Sequence, residues 1–163
     1  MPSNLTALGA NIDEHGFGSS TVVVPAALGN TECNANFTLY PLMPGNSTRH
    51  PAEKRKLQGH CMKSRWFDGA STVQCRVRTL SSVIDEMGLK IVHLLKVDVE
   101  GSELEVLQGI EDRHWGIVEQ VVAEVHNGCT EATKDLLIDK GFRVTSVPSI
   151  PDCNWLIYAV KRS

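Results

Sequence analysis

Residues 91–110, which read IVHLLKVDVEGSELEVLQGI, form the stretch that most constrains the fold of this chain. The first half is a nearly continuous apolar run, rich in β-branched side chains, of the kind found in strands covered on both faces. It predicts a central parallel strand over residues 91–97. Ser102, followed three residues later by Glu105, is a capping-box pattern that predicts a helix directly after the strand.

A short acidic turn separates this strand from the helix. In open α/β sheets, ligands bind beyond the carboxyl ends of the strands, so Asp98 and Glu100 are candidate functional residues. Gly101 is predicted either to have a positive φ or to allow the close approach of a ligand or backbone. Gly101 and Glu103 are candidate substrate-binding residues. The structural alternative for Asp98 is capping of the following helix, whose dipole a carboxylate also offsets.

The segment KVDVEGSELEVLQGI resembles the signature of the FkbM-type methyltransferases, and the similarity continues more loosely over residues 2–161. The resemblance implies an α/β, Rossmann-like fold with helices on both faces of the sheet, a C-terminal antiparallel strand pair, and S-adenosyl-L-methionine as cofactor. Typical members begin with a strand and glycine-rich turn for the methionine end of the cofactor. A second strand then ends in an acidic residue for the ribose.

This chain resembles the family from just after that acidic residue. We therefore expect it to lack the first strands of the sheet and the glycine-rich cofactor motif. Unpaired backbone and an exposed apolar edge should then make the fold marginal or prone to association. By itself, the chain is predicted to bind S-adenosyl-L-methionine weakly or not at all.

The N-terminal third predicts a helix, two strands and a long irregular segment. Apolar residues at helical spacing predict a helix over residues 3–15, and residues 22–24 predict a short buried strand. By the family resemblance, the turn after that strand lies near the adenine, which makes Asn30 a cofactor-binding candidate. Its structural alternative is ordinary turn chemistry, since asparagine after glycine is common in turns. Residues 34–41 predict the second strand.

The segment from residue 41 to about 69 is punctuated by proline and glycine and predicts a long loop. Such a loop in a compact domain is either functional or poorly ordered. Several of its side chains could contact a polar or anionic substrate: Arg49, His50, His60, Lys63, Arg65 and Trp66. A solvated loop is the favoured interpretation, because no periodicity fixes these side chains relative to one another.

The remaining chain alternates between strand and helix patterns. Strands are predicted over residues 73–77, 117–125, 142–147 and 155–160. Helices are predicted over residues 80–87 and 130–141, each closed by a glycine. The last two strands are joined by a short turn, which agrees with the antiparallel pair that the family resemblance implies.

The reaction implied by the resemblance requires few catalytic groups. A sulfonium activates its own methyl group, so the enzyme must align donor and acceptor and offer a base to a hydroxyl acceptor. Asp98 is the candidate to face the methyl donor or acceptor, with Glu100 and Glu103 next. His126, at the end of the neighbouring strand, is a candidate base or a histidine satisfied at a strand end. The DxExxE spacing could hold a cation, but no second ligand cluster supports one, so no metal is predicted.

The composition agrees with a single domain over residues 1–163, with 42% apolar and 21% charged residues. A net charge of -3 gives no footprint for nucleic acid, and no apolar run approaches the length of a membrane span. The odd number of cysteines without CxxC spacing predicts reduced thiols. A cytoplasmic location is favoured. Three Asn-X-Ser/Thr glycosylation sequons leave a protein of the secretory pathway as the alternative.

The sequence thus predicts methyl transfer from S-adenosyl-L-methionine to a hydroxyl group of a small molecule or glycan. Two alternatives remain at this point. One is a non-catalytic, methyltransferase-like interaction domain. The other is a cation-dependent hydrolase or transferase that uses Asp98, Glu100 and Glu103.

Overall fold

The computed structural model of the protein describes residues 2–58, 64–126, 128–150 and 154–162. The described part is a mixed α/β structure with a three-stranded and a four-stranded sheet. Its helices are α1 (Pro2–Glu14), α2 (Pro51–Gln58), α3 (Leu80–Met87), α4 (Glu103–Gln108), α5 (Asp112–Trp115) and α6 (Thr130–Asp139). Its strands are β1 (Ala27–Leu28), β2 (Cys33–Leu39), β3 (Ser71–Arg78), β4 (Leu95–Val97), β5 (Gln120–Val125), β6 (Phe142–Ile150) and β7 (Asn154–Lys161).

The four-stranded sheet has the order β4-β5-β7-β6 and carries the main core. β4 and β5 are parallel, whereas β7 is antiparallel to both β5 and β6. The predicted C-terminal antiparallel pair is therefore confirmed. The core includes fully buried side chains from α4, α6 and the last strands: Leu107, Leu137, Phe142 and Ile157. It fixes the carboxyl ends of β4 and β5 relative to α4.

The central strand is shorter than predicted. β4 covers three residues, and Val92 adds only an isolated parallel bridge to Val118. The expectation that both faces of the run are covered is also wrong, because Ile91 is 47% exposed and Leu94 is 57% exposed. The physical reason is the position of β4 at the sheet edge, where β5 is its only strand partner among the described residues.

The three-stranded sheet has the order β1-β3-β2, with β1 parallel and β2 antiparallel to β3. The predicted strand over residues 22–24 is wrong: the strand in this region is β1, which begins three residues after the predicted strand ends. Val22 is 70% exposed. A valine run has a high intrinsic preference for strands, but that preference needs a neighbouring strand to pair with, and only Ala27–Leu28 has one, in β3.

Helix α2 lies inside the segment that was predicted to be a loop. Pro51 begins it, which fits the preference of proline for the first turn, where a backbone N–H has no helical partner anyway. Two short 3₁₀ turns, Pro44–Asn46 and Ser64–Phe67, flank it. The segment is therefore structured where it is described, and two of its named residues, His60 and Lys63, lie outside the described part of the chain.

Other predicted features are confirmed. Helix α1 matches the predicted N-terminal helix, and α3 ends at Gly88, which adopts the left-handed conformation with φ of 61°. Cys33, Cys75 and Cys129 carry thiols rather than disulfides, while Cys61 and Cys153 lie outside the described residues. Within the described ranges, no helix is both long and apolar enough to cross a membrane.

Candidate active site

The turn between β4 and α4 has an unusual backbone. Glu100 has a φ of 57° and Gly101 a φ of 107°, so two successive residues have positive φ. The predicted positive φ of Gly101 is confirmed. Positive φ is uncommon for a residue with a Cβ, so surrounding contacts must hold Glu100 in this conformation.

Glu103, rather than Ser102, satisfies the amides of this turn. Its Oε1 accepts hydrogen bonds from the backbone N–H groups of Gly101 at 2.9 Å and Val99 at 3.3 Å. Ser102 is the N-cap of α4, but its side chain does not cap the helix, so the predicted capping box is wrong. The carboxylate of Glu103 reaches back to the preceding turn, which leaves this side chain 1% exposed.

His126 forms a buried pair with Glu103. The imidazole Nδ1 lies 2.9 Å from Glu103 Oε1, and the backbone N–H of His126 donates to Oε2 at 3.4 Å. Only 4% of His126 is exposed. The pair follows from the parallel alignment of β4 and β5, which brings the residue after β5 beside the first turn of α4.

The two groups shift each other's proton affinity. Burial alone raises the pKa of Glu103, but the hydrogen bond and charge of His126 and the Gly101 amide outweigh it, so that pKa lies below its ordinary value. Burial alone lowers the pKa of His126, but Glu103, followed by the charges of Glu100 and Glu124, raises it above the ordinary value. The buried pair therefore favours a carboxylate beside an imidazolium.

Two residues from the segment predicted to be a loop hold Glu100. Lys54 Nζ forms an ion pair of 2.5 Å with Glu100 Oε2, and the Thr48 hydroxyl donates to the Glu100 carbonyl oxygen at 2.7 Å. Glu100 Oε2 in turn lies 3.7 Å from His126 Nε2. Sequence reasoning missed both residues. Lys54 stands in the charged run EKRK, which reads as a solvated surface, yet Lys54 is only 1% exposed.

The other polar residues of this segment divide into paired and exposed groups. Arg49 donates to Glu105 at 2.9 Å, and His50 Nε2 lies 3.2 Å from the same carboxylate. Glu105, in the first turn of α4, was expected to complete the capping box and instead anchors the segment before α2. Arg65 and Trp66 are exposed and are not part of this cluster.

Asp98 is the most exposed member of the cluster. Its side chain is 34% exposed and pairs with Lys96 at 2.8 Å. One donor atom each from Asp98, Glu100 and His126 lies within 4.8 Å of the others, a set that could accept a cation. Lys54 already supplies a positive charge to Glu100, so the negative charge of this cluster is partly neutralised by the protein itself.

The structure therefore brings five of the six predicted site residues together: Asp98, Glu100, Gly101, Glu103 and His126. Asn30 does not join them. It is exposed, and the preceding Gly29 packs at the opposite end of α4, where a Cβ on Gly109 would clash with the Gly29 carbonyl oxygen. The cofactor-binding role of Asn30 stays a prediction.

Comparison with known proteins identifies the family of this chain. The family model described as the methyltransferase FkbM domain matches residues 7–144. The chain belongs to the FkbM methyltransferase family. The family signature in this FkbM-family chain coincides with β4, the strained turn and α4, so the residues that carry the resemblance are those that build the cluster.

Three relatives illustrate the similarity. Methyltransferase sdnD of Sordaria araneosa is 41% identical over 66% of this chain and 48% of the relative. Methyltransferase 1 of Beauveria bassiana is 35% identical over 88% of this chain and 60% of the relative. The 31-O-demethyl-FK506 methyltransferase FkbM of Streptomyces tacrolimicus is 43% identical over 48% of this chain and 31% of the relative. The chain thus spans about half the length of the first two relatives. No solved structure matches it.

Proposed function

We propose that this chain is the catalytic part of an S-adenosyl-L-methionine-dependent methyltransferase that methylates a hydroxyl oxygen of a small molecule or glycan. The observation that carries the proposal is the cluster at the carboxyl ends of parallel β4 and β5, where an exposed carboxylate stands beside a buried His–Glu pair. In an α/β sheet, this end of the strands is where ligands bind. The order β4-β5-β7-β6 supports a Rossmann-like arrangement.

The charge of Asp98 supports this choice of cofactor. S-adenosyl-L-methionine carries a sulfonium cation, and Asp98 presents a partly exposed carboxylate beyond the end of β4. Asp98 would therefore lie against the donor or the acceptor, and Asn30 would contact the adenine. When bound, the cofactor supplies an activated methyl group. The name of the Streptomyces relative refers to a substrate demethylated at an oxygen, which supports an oxygen acceptor.

His126 is the proposed base. The carboxylate of Glu103 can only accept hydrogen bonds, so Nδ1 must carry the hydrogen and Nε2 of the neutral imidazole has a free lone pair. In the reaction, the acceptor oxygen forms a bond to the methyl carbon as the carbon–sulfur bond breaks. The hydroxyl proton passes to Nε2, and Glu103 stabilises the imidazolium that results.

This assignment predicts a defined pH dependence. Only the neutral imidazole can take a proton, and the neighbouring carboxylates raise the pKa of His126. We therefore expect methyl transfer to increase with pH through a value above the ordinary histidine range of about 6.5 and then to reach a plateau.

Replacement of His126 by Gln in the full-length protein tests the proposal. We expect turnover on the plateau to fall by about 100-fold or more, because a general base typically contributes at least that much. His93→Gln is the matched control, since His93 is an exposed histidine just before β4. Equal turnover of the His126 variant and the parent protein would refute the proposed base.

Addition of a chelator separates this proposal from a cation-dependent reaction. Activity is expected to be unchanged, because the buried ammonium of Lys54 already provides a positive charge beside Glu100. Loss of turnover in the chelator, restored by Mn²⁺, would instead favour the cation-dependent alternative. A full-length protein that binds no cofactor in a calorimetric titration would favour a non-catalytic domain.

A further inference from the structure

We propose that Lys54 is a positioning residue for the His126 base. It holds the Glu100 carboxylate beside the imidazole, balances part of its charge, and so sets the pH at which His126 can take a proton. The role of Lys54 in catalysis rests on the proposed function. Its effect on the charge around His126 does not, because it depends only on side chains that the structure shows close together.

The position of Lys54 is specific rather than a surface contact. Helix α2 begins at Pro51 and directs Lys54 inward, so that its side chain is only 2% exposed. An ammonium group taken out of water is strongly unfavourable unless it is paired. Its partner is Glu100 Oε2, the oxygen that also lies 3.7 Å from His126 Nε2. One carboxylate oxygen thus contacts a fixed cation and also lies near the proposed base.

Glu100 is held at both ends by the same segment. Its carboxylate is bound by Lys54, and its carbonyl oxygen accepts a hydrogen bond from Thr48 at 2.7 Å. The hydroxyl of Thr48 also accepts from the backbone N–H of His50 at 3.0 Å. These contacts account for the persistence of the positive φ of Glu100. They fix the carboxylate where it influences the imidazole.

Charged groups approach His126 from several elements. Glu103 comes from α4, Glu100 from the turn, Glu124 from β5, and Asp98 from the end of β4. The Cys129 thiol, at the start of α6, also lies within reach of the Glu103 charge. The carboxylates favour the imidazolium, and Lys54 opposes them through Glu100. Loss of Lys54 should therefore make His126 retain its proton to higher pH.

The test is an NMR titration of the His126 ring in the full-length protein, with the signal assigned from its loss in His126→Gln. Lys54→Met is expected to raise the pKa of His126, because the Glu100 oxygen released by Lys54 can move closer to Nε2. Lys54→Arg keeps the charge and should restore the parental titration. The acidic limb of the methyl-transfer profile should move to higher pH in Lys54→Met and return in Lys54→Arg.

Arg49→Met is the matched control. Arg49 belongs to the same segment and forms an ion pair with the first turn of α4, but its partner is Glu105. It should change stability without moving the His126 titration. Should Lys54→Met fail to fold, the double variant Lys54→Met with Glu100→Gln removes both charges, and the pKa of His126 should then fall below the parental value.

An unchanged His126 titration in Lys54→Met, or an equal shift in Arg49→Met, would overturn the proposal and leave Lys54 a structural residue. The outcome is independent of the proposed function, because the ring titration needs no substrate. A shift in the titration without any methyl transfer would support the electrostatic role of Lys54 and count against the proposed reaction.

Discussion

Replacement of Glu103 by Gln should weaken the fold and remove much of its pH dependence. Three of the hydrogen bonds of this carboxylate end on Oε1: those from His126 Nδ1 and the Gly101 amide at 2.9 Å, and a longer one from the Val99 amide at 3.3 Å. A glutamine oxygen at the same place preserves them with a neutral acceptor. Its amide nitrogen, however, replaces Oε2 and faces the backbone N–H of His126, which is also a donor.

The size of the effect follows from these contacts. Each of the two hydrogen bonds of 2.9 Å becomes weaker by about 1 kcal/mol when its acceptor is neutral. The glutamine amide facing the backbone N–H of His126 destabilises the fold by about 1 kcal/mol more. We therefore expect the free energy of unfolding near pH 6 to fall by about 2–3 kcal/mol. Both partners are almost completely buried, so solvent does not screen the loss.

The pH dependence has a definite sign. The pKa of His126 is raised in the fold, so its contribution to stability is complete below about 6.5 and is lost as the pH rises through the folded value. The pKa of Glu103 is lowered, so its contribution is present above about 4.3 and is lost as the pH falls through the folded value. Between these two pH values both groups of the pair stabilise the parent protein, and Glu103→Gln should largely lose this contribution.

Urea denaturation followed by circular dichroism at pH 6 and pH 8.5 measures both effects. The difference between parent and variant should be larger at pH 6. Glu131→Gln is the control, because this carboxylate is 79% exposed and its pair with Lys134 is a surface pair worth little. Equal stability of Glu103→Gln and the parent at both pH values would refute the account of the buried pair.

Three further substitutions test the site and the packing at the far end of α4. Asp98→Asn should lower methyl transfer by about tenfold or more at unchanged thermal stability, since this side chain is partly exposed; equal steady-state turnover would exclude a catalytic role. Gly101→Val should reduce thermal stability by several degrees and weaken cofactor binding, because a β-branched residue is strained at a φ of 107°; retention of both would show that the turn tolerates a Cβ. Gly109→Ala should destabilise the fold by about 1–3 kcal/mol, because the new Cβ would clash with the Gly29 carbonyl oxygen, and an unchanged denaturation midpoint would show that the backbone yields freely.

Local sequence patterns predicted the strand, turn and helix that carry most of the site. The apolar run, the acidic turn and the following helix lie within twenty residues, and the turn conformation of Gly101 follows from the need for a sharp reversal there. His126 was placed at the end of the next strand because parallel neighbouring strands end at the same edge of a sheet. Periodicity placed these elements along the chain, and the resemblance to the FkbM-type methyltransferases implied their order in the sheet.

The contacts of Glu100 and Glu103 could not be predicted in the same way. Lys54 and Thr48 lie 46 and 52 residues before Glu100. The sequence of the short helix that carries Lys54 begins with proline and is highly charged, so it does not show the apolar spacing of a packed helix. The Ser102 pattern indicated a capping box, but Glu105 pairs with Arg49 and His50 instead. The amides of the turn are satisfied by Glu103. Tertiary pairing also overrode the strand preference of residues 22–24.

The most direct test of the proposed reaction is the transfer of a ¹³C-labelled methyl group from S-adenosyl-L-methionine by the full-length protein to a panel of hydroxyl-bearing small molecules and glycans. NMR spectra of the products identify the atom that receives the label. We predict a product labelled on oxygen, formed by the parent protein and lost in His126→Gln. Label on nitrogen or carbon, or an undiminished yield with the His126 variant, would contradict the account.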